Sequence, residues 1–524
     1  MARAKNFLKG LGTSYLLLVA NTLWTLVSLP VALHYLERPE YTIWLIVAQV
    51  AVYFAMIDLG TSGSGIRLLV DYKDAPERGG YGSLIKSMWG IGLAQAALIL
   101  AAGLGSARLL PAVFENIPPE LAGEFQRLWT WQVIFMAANF GLRIGNQILH
   151  AHQRVDVSNY AQIASFLVNL AGLMWGLENG LGLNSFILGQ GLSTVVMLGV
   201  TCAACVRLKL LPARGAWGTF SSAHLRQVFS LGGEFFLIIV GTTLTTGSQI
   251  FLLTWRLEKE AALEAVLVWS VMSKLFTLGT QIVWRIVGVA TPAFSEMIAR
   301  GEMERLWRRY RSVLELSVLA SAYFGLLIAL GNNAFVEIWT RKPISWPAVN
   351  NWLLAAWLVL LTQACCHTSL ILYLKQVGRL KAVYLLEGFV FVLLALLTLP
   401  HGGLTGMLWC SIVSTTLLSG CYLTHRVAKL MDRPVRVVVV EWFYPLTKFL
   451  VIMLPLGGLL AWFTRDSAWL RLLGCATPVG LAGLIVAVRF CLPAELLAEI
   501  LRHLPPPLRK FMAALAGRRA TSIP

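Results

Sequence analysis

Charge is what this chain has least of. Lys, Arg, Asp and Glu make up 13% of its 524 residues, against 57% hydrophobic residues. A soluble domain carries roughly twice that share of charge, so a chain made of ordinary soluble domains is excluded. Reactive and ligand-holding motifs are missing as well. There is no glycine-rich phosphate loop, no nucleophile elbow and no Cys/His spacing of a metal site. Cysteine is scarce: all eight, Cys202, Cys205, Cys365, Cys366, Cys410, Cys421, Cys475 and Cys491, fall inside apolar blocks. Cys202 and Cys205 form a C-x-x-C, but within an apolar stretch it reads as small apolar packing. No metal and no cofactor is expected.

What is there is a series of apolar blocks, each near the roughly 20 residues that a bilayer-spanning helix needs. Fourteen are expected: Leu11–Tyr35, Tyr41–Gly65, Ile85–Leu110, Phe125–Leu149, Val157–Leu177, Asn184–Val206, Val228–Leu253, Leu263–Pro292, Val313–Trp339, Asn351–Leu374, Leu380–Leu399, Leu404–Thr424, Trp442–Phe463 and Leu470–Leu492. The first is too long for the apolar core of a signal peptide and reads as a span. Helices follow because a backbone in lipid must close its own hydrogen bonds. A barrel would show short alternating segments, which are absent from the sequence. The fold class is thus an all-α polytopic membrane protein, with the bilayer as its first partner.

The formal charge of +17 would suggest nucleic acid in a soluble protein. Here the basic residues crowd short loops, and topology explains them, so no nucleic acid is expected. With a cytoplasmic N-terminus, 29 of the 43 Lys and Arg fall on the inner side and 8 on the outer. That bias supports both termini on the cytoplasmic side, with an even number of spans. The expected division is a six-helix lobe over residues 1–226, a second over 227–436, two added spans over 437–492 and a basic cytoplasmic tail over 493–524. The tail could lie on the anionic inner leaflet.

Six basic residues remain in or at the ends of spans: Arg127, Arg143, Lys274, Arg285, Lys448 and Arg489. Ionisable groups in spans are costly and face a partner or a watered cavity. In the eighth block Ser270, Lys274, Thr277, Gln281 and Arg285 recur at helical spacing, a polar face with two cations. It reads either as the wall of an anion-binding cavity or as a stripe paired internally with carboxylates. The fourth block repeats the pattern with Gln132, Asn139, Arg143, Asn146 and His150. Gln363 and His367 lie four apart in the tenth, where a satisfied interior histidine is the commoner case. Among the intramembrane acids, Asp58 and Glu234 fall at a depth similar to Arg143 and Arg285. Ion pairs at that level would form an inner gate or simply static charge pairs, and both readings stand.

Three stretches carry a resemblance. Leu29-Pro30, Tyr35-Leu36, Glu40-Tyr41-Thr42-Ile43-Trp44 and Ile57-Asp58-Leu59-Gly60 with Arg67 resemble the opening of polysaccharide flippases, the O-antigen and exopolysaccharide transporters. Pro292-Ala293-Phe294-Ser295-Glu296-Met297 with Arg300-Gly301-Glu302 resembles the inner end of that family's eighth span, and Asn332 to Trp339 the end of its ninth. Thr42 replaces a common glycine, and fourteen spans match the lipid II flippases of the same superfamily, which also holds the MATE drug exporters. The resemblance implies two six-helix lobes around a central cavity, and alternating access. It implies a polyprenyl-diphosphate-linked oligosaccharide as cargo, flipped from inner to outer leaflet for surface polysaccharide synthesis, with a glycan polymerase or other export machinery as a partner. Arg143, Lys274 and Arg285 would then bind diphosphate, Asn139 and Gln281 sugar, and Asp58 and Glu234 would serve gating or ion coupling. The competing readings are a MATE-like cation exporter, whose cavity should favour carboxylates, and a membrane enzyme that polymerises or ligates lipid-linked glycans, which should carry a large outer loop.

Overall fold

In a computed structural model the regular structure of the described residues, which are 2–73, 79–110, 119–341, 344–374, 376–492 and 497, is all helical. Side chains are described for these except 2–11, 15, 25, 234, 235, 289–293, 295, 296 and 299. The chain separates into two compact units, Met1–Leu267 and Val268–Pro524.

The first unit holds α1 (Ala2–Tyr35), α2 (Arg38–Ala55), α3 (Thr61–Tyr72), α4 (Gly80–Ser106), α5 (Ala122–Leu142), α6 (Ile144–Ala151), α7 (Val155–Glu178), α8 (Asn184–Arg207), α9 (Ser222–Gly247) and α10 (Gln249–Arg256). Helix α11 (Lys259–Met272) runs across the boundary. The second unit holds α12 (Lys274–Ala299), α13 (Met303–Thr340), α14 (Ala348–Tyr373), α15 (Leu380–Ser414), a π turn at Thr415–Gly420, α16 (Cys421–Leu430), α17 (Val435–Phe463) and α18 (Ala468–Cys491).

Local chemistry sets these boundaries. Helix α2 starts where Pro39 fits the first turn and the Glu40 carboxylate takes the Glu37 backbone N–H at 2.9 Å. Its Tyr41 and Ile43 are buried, and Trp44 stacks on Phe186 of α8 at 4.5 Å. Apolar residues drive helices into lipid, yet helix-to-helix packing there depends on close approach and shared hydrogen bonds. The α4–α5 contact uses both. Gly92 faces the Phe140 carbonyl so closely that a Cβ would sit 2.7 Å from its oxygen. Trp89 and Trp129 donate indole N–H groups across the interface, to the carbonyls of Gly141 at 2.9 Å and Gly103 at 2.8 Å. Between α7 and α8 the Ser165 and Ser193 hydroxyls meet at 2.6 Å.

Among the described residues, ten helices are long and apolar enough to cross a membrane, or twelve when two bent pairs each count as one span. The chain is thus a multi-pass membrane protein, with fewer spans by this measure than the fourteen expected. Two features account for the difference. Helix α5 carries Gln126, Arg127, Gln132 and Asn139, which lower its hydropathy. The run Leu380–Leu430 counts once although it has 51 residues. As one straight helix it would reach about 75 Å, far beyond the roughly 30 Å of hydrocarbon. It is broken at Gly403, where φ 50 and ψ −144 lie outside the helical region.

Candidate functional site

Two in-span cations named from the sequence sit at helix breaks, one in each unit. In the first unit the break is built from Ile57-Asp58-Leu59-Gly60. Helix α2 tightens into a single turn at Met56–Asp58, then Leu59 and Gly60 take left-handed backbones, φ 50 and φ 73. Leu59 is strained there, since only glycine adopts such angles freely. Gly60 is required twice over, because a Cβ at this position would lie 2.4 Å from the Gly232 carbonyl oxygen of α9.

A break inside a membrane helix frees carbonyls that must find donors. Gln95 of α4 supplies them. Its Nε2 donates to the Ile57 carbonyl at 2.7 Å and the Asp58 carbonyl at 3.1 Å. The Asp58 carboxylate then heads α3, accepting from the Ser62 hydroxyl at 2.8 Å, the Ser62 backbone N–H at 3.3 Å and the Thr61 hydroxyl at 3.2 Å.

Arg143 arrives from a second break, the one-residue joint between α5 and α6. Its Nη1 is paired with Asp58. Its Nη2 donates to Gln95 Oε1 at 2.5 Å and to the Thr61 hydroxyl at 3.1 Å. The guanidinium lies 4.4 Å from the centre of the Phe140 ring. Gln147 adds a bond to the Ser62 hydroxyl at 3.3 Å. The Arg143 and Asp58 side chains remain 19% and 24% exposed. The pair is therefore not fully enclosed by protein.

The break in the second unit lies at Ser273, where the chain bends by 40° between α11 and Lys274–Gly288. Asn332 of α13 donates to the Met272 carbonyl at 3.0 Å and to Asn351 Oδ1 of α14 at 2.9 Å. Asn351 in turn donates to Asn333 Oδ1 at 2.7 Å and accepts from the Trp346 indole at 2.8 Å. Asn332 and Asn351 are buried and Asn333 is exposed; the cluster pins the bend, a kink caused by a side chain bonding into the helical ladder. Lys274, the next residue, is half-buried, and no hydrogen bond or ion pair joins its side chain to any described residue.

The other residues named from the sequence fall as follows. Arg285, on the same helix as Lys274, is exposed, also with no bonded partner among the described residues. Gln281 is half-buried on that helix. Asn139 turns its amide back onto the Phe135 carbonyl at 2.8 Å, within its own helix. The Glu234 side chain and the 493–524 tail, except for Leu497, lie outside the described residues. His367 is buried with its Nδ1 against the Tyr310 hydroxyl. Glu387 accepts from Thr415 at 3.0 Å, and Glu315 and Glu441 share Arg311 at 2.8 and 2.5 Å.

Gln95 and the Asn332–Asn351–Asn333 cluster were not picked out as site residues. The available signal was a lone glutamine in the apolar run of α4 and paired amides facing each other from two spans. Among the described residues, no group of three or more His, Cys, Asp or Glu is arranged to hold a metal ion.

No protein-family model matches the sequence, and no curated protein does either. Solved structures do match in fold. A lipid II flippase MurJ in an inward closed conformation superposes with a TM-score of 0.66 at 12% identity, over 90% of this chain and 97% of that one. An inward-facing multidrug resistance MATE family transporter of the MOP superfamily gives 0.60 at 13% identity, over 79% and 94%. A MOP superfamily transporter from Pyrococcus furiosus, described by the reverse polarity of its binding pocket, gives 0.51 at 13% identity, over 83% and 96%. The chain shares the fold of these structures.

Proposed function

We propose that the chain is a flippase carrying a polyprenyl-diphosphate-linked oligosaccharide from the inner to the outer leaflet by alternating access, for surface polysaccharide synthesis. The observation that carries this reading is Lys274. A cation held half-buried at a pinned helix break, with no protein partner among the described residues, is matched to an anionic ligand. Diphosphate suits it, since charge-assisted bonds to phosphate oxygens are among the stronger ones available. Arg285 extends the same helix with a second cation, and Gln281 lies between them to meet hydroxyl groups. In the second unit Glu315 and Glu441 are engaged by Arg311, which weighs against a carboxylate-lined cavity for cationic drugs.

The same reading takes fourteen spans with both termini cytoplasmic. The joint α5–α6 adds one span to the twelve and the break at Gly403 adds another. A scan of single cysteines against a membrane-impermeant thiol reagent tests this, with residues near 70 and 305 expected to react only from inside.

The functional test is translocation of a defined polyprenyl-diphosphate oligosaccharide in vesicles holding the full chain. Wild type should flip it, and Lys274→Ala with Arg285→Ala should not, while inserting normally. Normal flipping by the double variant, or none by the wild type, rejects the assignment. Unchanged drug susceptibility on expression separates the flippase from an exporter.

A further inference from the structure

The Arg143–Asp58 pair holds two breaks together, and each partner has something to fall back on. Without Arg143, the Asp58 carboxylate keeps three donors: the Ser62 hydroxyl, the Ser62 backbone N–H and the Thr61 hydroxyl. Without Asp58, the guanidinium keeps Gln95 Oε1, the Thr61 hydroxyl and the Phe140 face. Breaking a buried ion pair is usually prohibitive because one charge is stranded. Here neither would be, provided another anion takes the vacated Nη1. The partial exposure of both side chains leaves a way in.

We propose that this pair is a latch opened by partner exchange: a diphosphate oxygen replaces Asp58 on Arg143, and the release of Asp58 loosens the Leu59–Gly60 break. The proposal rests on the flippase reading for the identity of its ligand. The consequence is mechanical. Asp58 heads α3, and Gly60 presses against Gly232 of α9, so a shift at the break displaces α9 directly. Gln95 is the positioning residue. One end of its amide holds the Ile57 and Asp58 carbonyls and the other holds Arg143, so it reports the state of the pair to the backbone. A ligand that binds the open state better shifts the population toward it, and in that way cargo on Arg143 would move a helix.

Hydrogen exchange of the full chain in nanodiscs tests this. The amides of residues 57–65 are followed without ligand, with inorganic diphosphate, with polyprenyl diphosphate, and with phosphatidylglycerol in the bilayer. Binding affinity is measured in parallel. Both diphosphates should speed exchange there by about fivefold or more, as expected for a local opening. Asp58→Asn should exchange fast without ligand and bind diphosphate about tenfold more tightly, because the competing carboxylate is gone. Arg143→Gln should also exchange fast and show no response to diphosphate.

Diphosphate binding that leaves residues 57–65 unchanged overturns the latch, whether or not vesicle translocation succeeds. Acceleration by phosphatidylglycerol alone assigns the site to a bilayer headgroup and overturns it too. Acceleration by diphosphate in a chain that fails to flip the glycan keeps the latch and removes the flippase reading. The wild-type arms decide the matter by themselves, so a variant that does not fold leaves the test standing.

Discussion

Arg143 and Lys274 are both cations at breaks of membrane helices, yet they are treated oppositely. Arg143 meets a carboxylate, a glutamine, a hydroxyl and an aromatic face. Lys274 meets none of these among the described residues, although the bend beside it is pinned by three asparagines. In both units the backbone left open by the break is satisfied by amide side chains from neighbouring helices. What differs is the charge at the break: paired in the first unit, and without a partner among the described residues in the second. A membrane protein gains nothing in stability from an uncompensated intramembrane cation. On the flippase reading Lys274 is the cation open to a ligand at once, while Arg143 closes a joint between helices that only partner exchange would free.

The largest expected effect tests that contrast at Lys274. Lys274→Ala should lower vesicle translocation by about a hundredfold, the equivalent of losing a charge-assisted bond or two to phosphate, with little change in thermal stability. Thr277→Glu, one helical turn on, should give Lys274 the acid that Arg143 already has. It should depress transport while raising stability. Transport unaffected by either change would place Lys274 among the structural cations.

Gly60→Ala follows in size and concerns the joint. The new methyl would have to adopt φ 73 and lie against the Gly232 oxygen. The cost should be about 2–3 kcal/mol, read as a lowered unfolding midpoint in detergent. Gly63, three residues on in α3, has open space around its Cβ position. Gly63→Ala should be neutral or slightly stabilising. Equal effects at the two glycines would mean that the break is not the specified feature.

Asn332→Ala acts on the other break. It leaves the buried Met272 carbonyl without its donor, at a cost of about 1–2 kcal/mol. If the asparagine cluster aims Lys274, diphosphate affinity should fall with stability. A loss of stability alone would make the cluster a packing device.

Much of this was legible in the sequence, and the reasons are specific. Membrane helices announce themselves because lipid leaves the backbone no alternative. Asp58 and Arg143 stood out as charges in apolar runs at similar depth, which is why a pair between them was among the readings. The breaks were harder to see. Nothing in Gln95 says that two carbonyls 38 and 37 residues away will need its amide. Asn139 illustrates the converse. It shares a helix face with Arg143 by spacing, but spacing does not reveal that an amide will bond back to its own helix. The fourteen spans expected and the ten to twelve helices that pass on length and hydropathy part company at Gly403 and α5. Length and hydropathy record neither a single left-handed residue nor polar groups satisfied by neighbours.

The smallest expected effect comes from a pair in which the guanidinium meets both carboxylate oxygens, where Arg143 meets one of Asp58. Arg433 Nη2 lies 2.5 and 2.7 Å from the two carboxylate oxygens of Glu304. Glu304 is 77% exposed, however, against 24% for Asp58. Water screens the exposed pair, and ordering two long side chains costs entropy, so Glu304→Ala should change stability by less than about 0.5 kcal/mol. The residual effect should disappear in high salt, since the screening length shortens to a few ångströms at about 1 M. Unfolding midpoints of wild type and Glu304→Ala at low and high salt provide the measurement. A loss above about 1 kcal/mol that persists in salt would show that exposure does not rank these pairs. The claim that Asp58 matters because it is sheltered at a helix break would then have to rest on its hydrogen bonds to Ser62 and Thr61 alone.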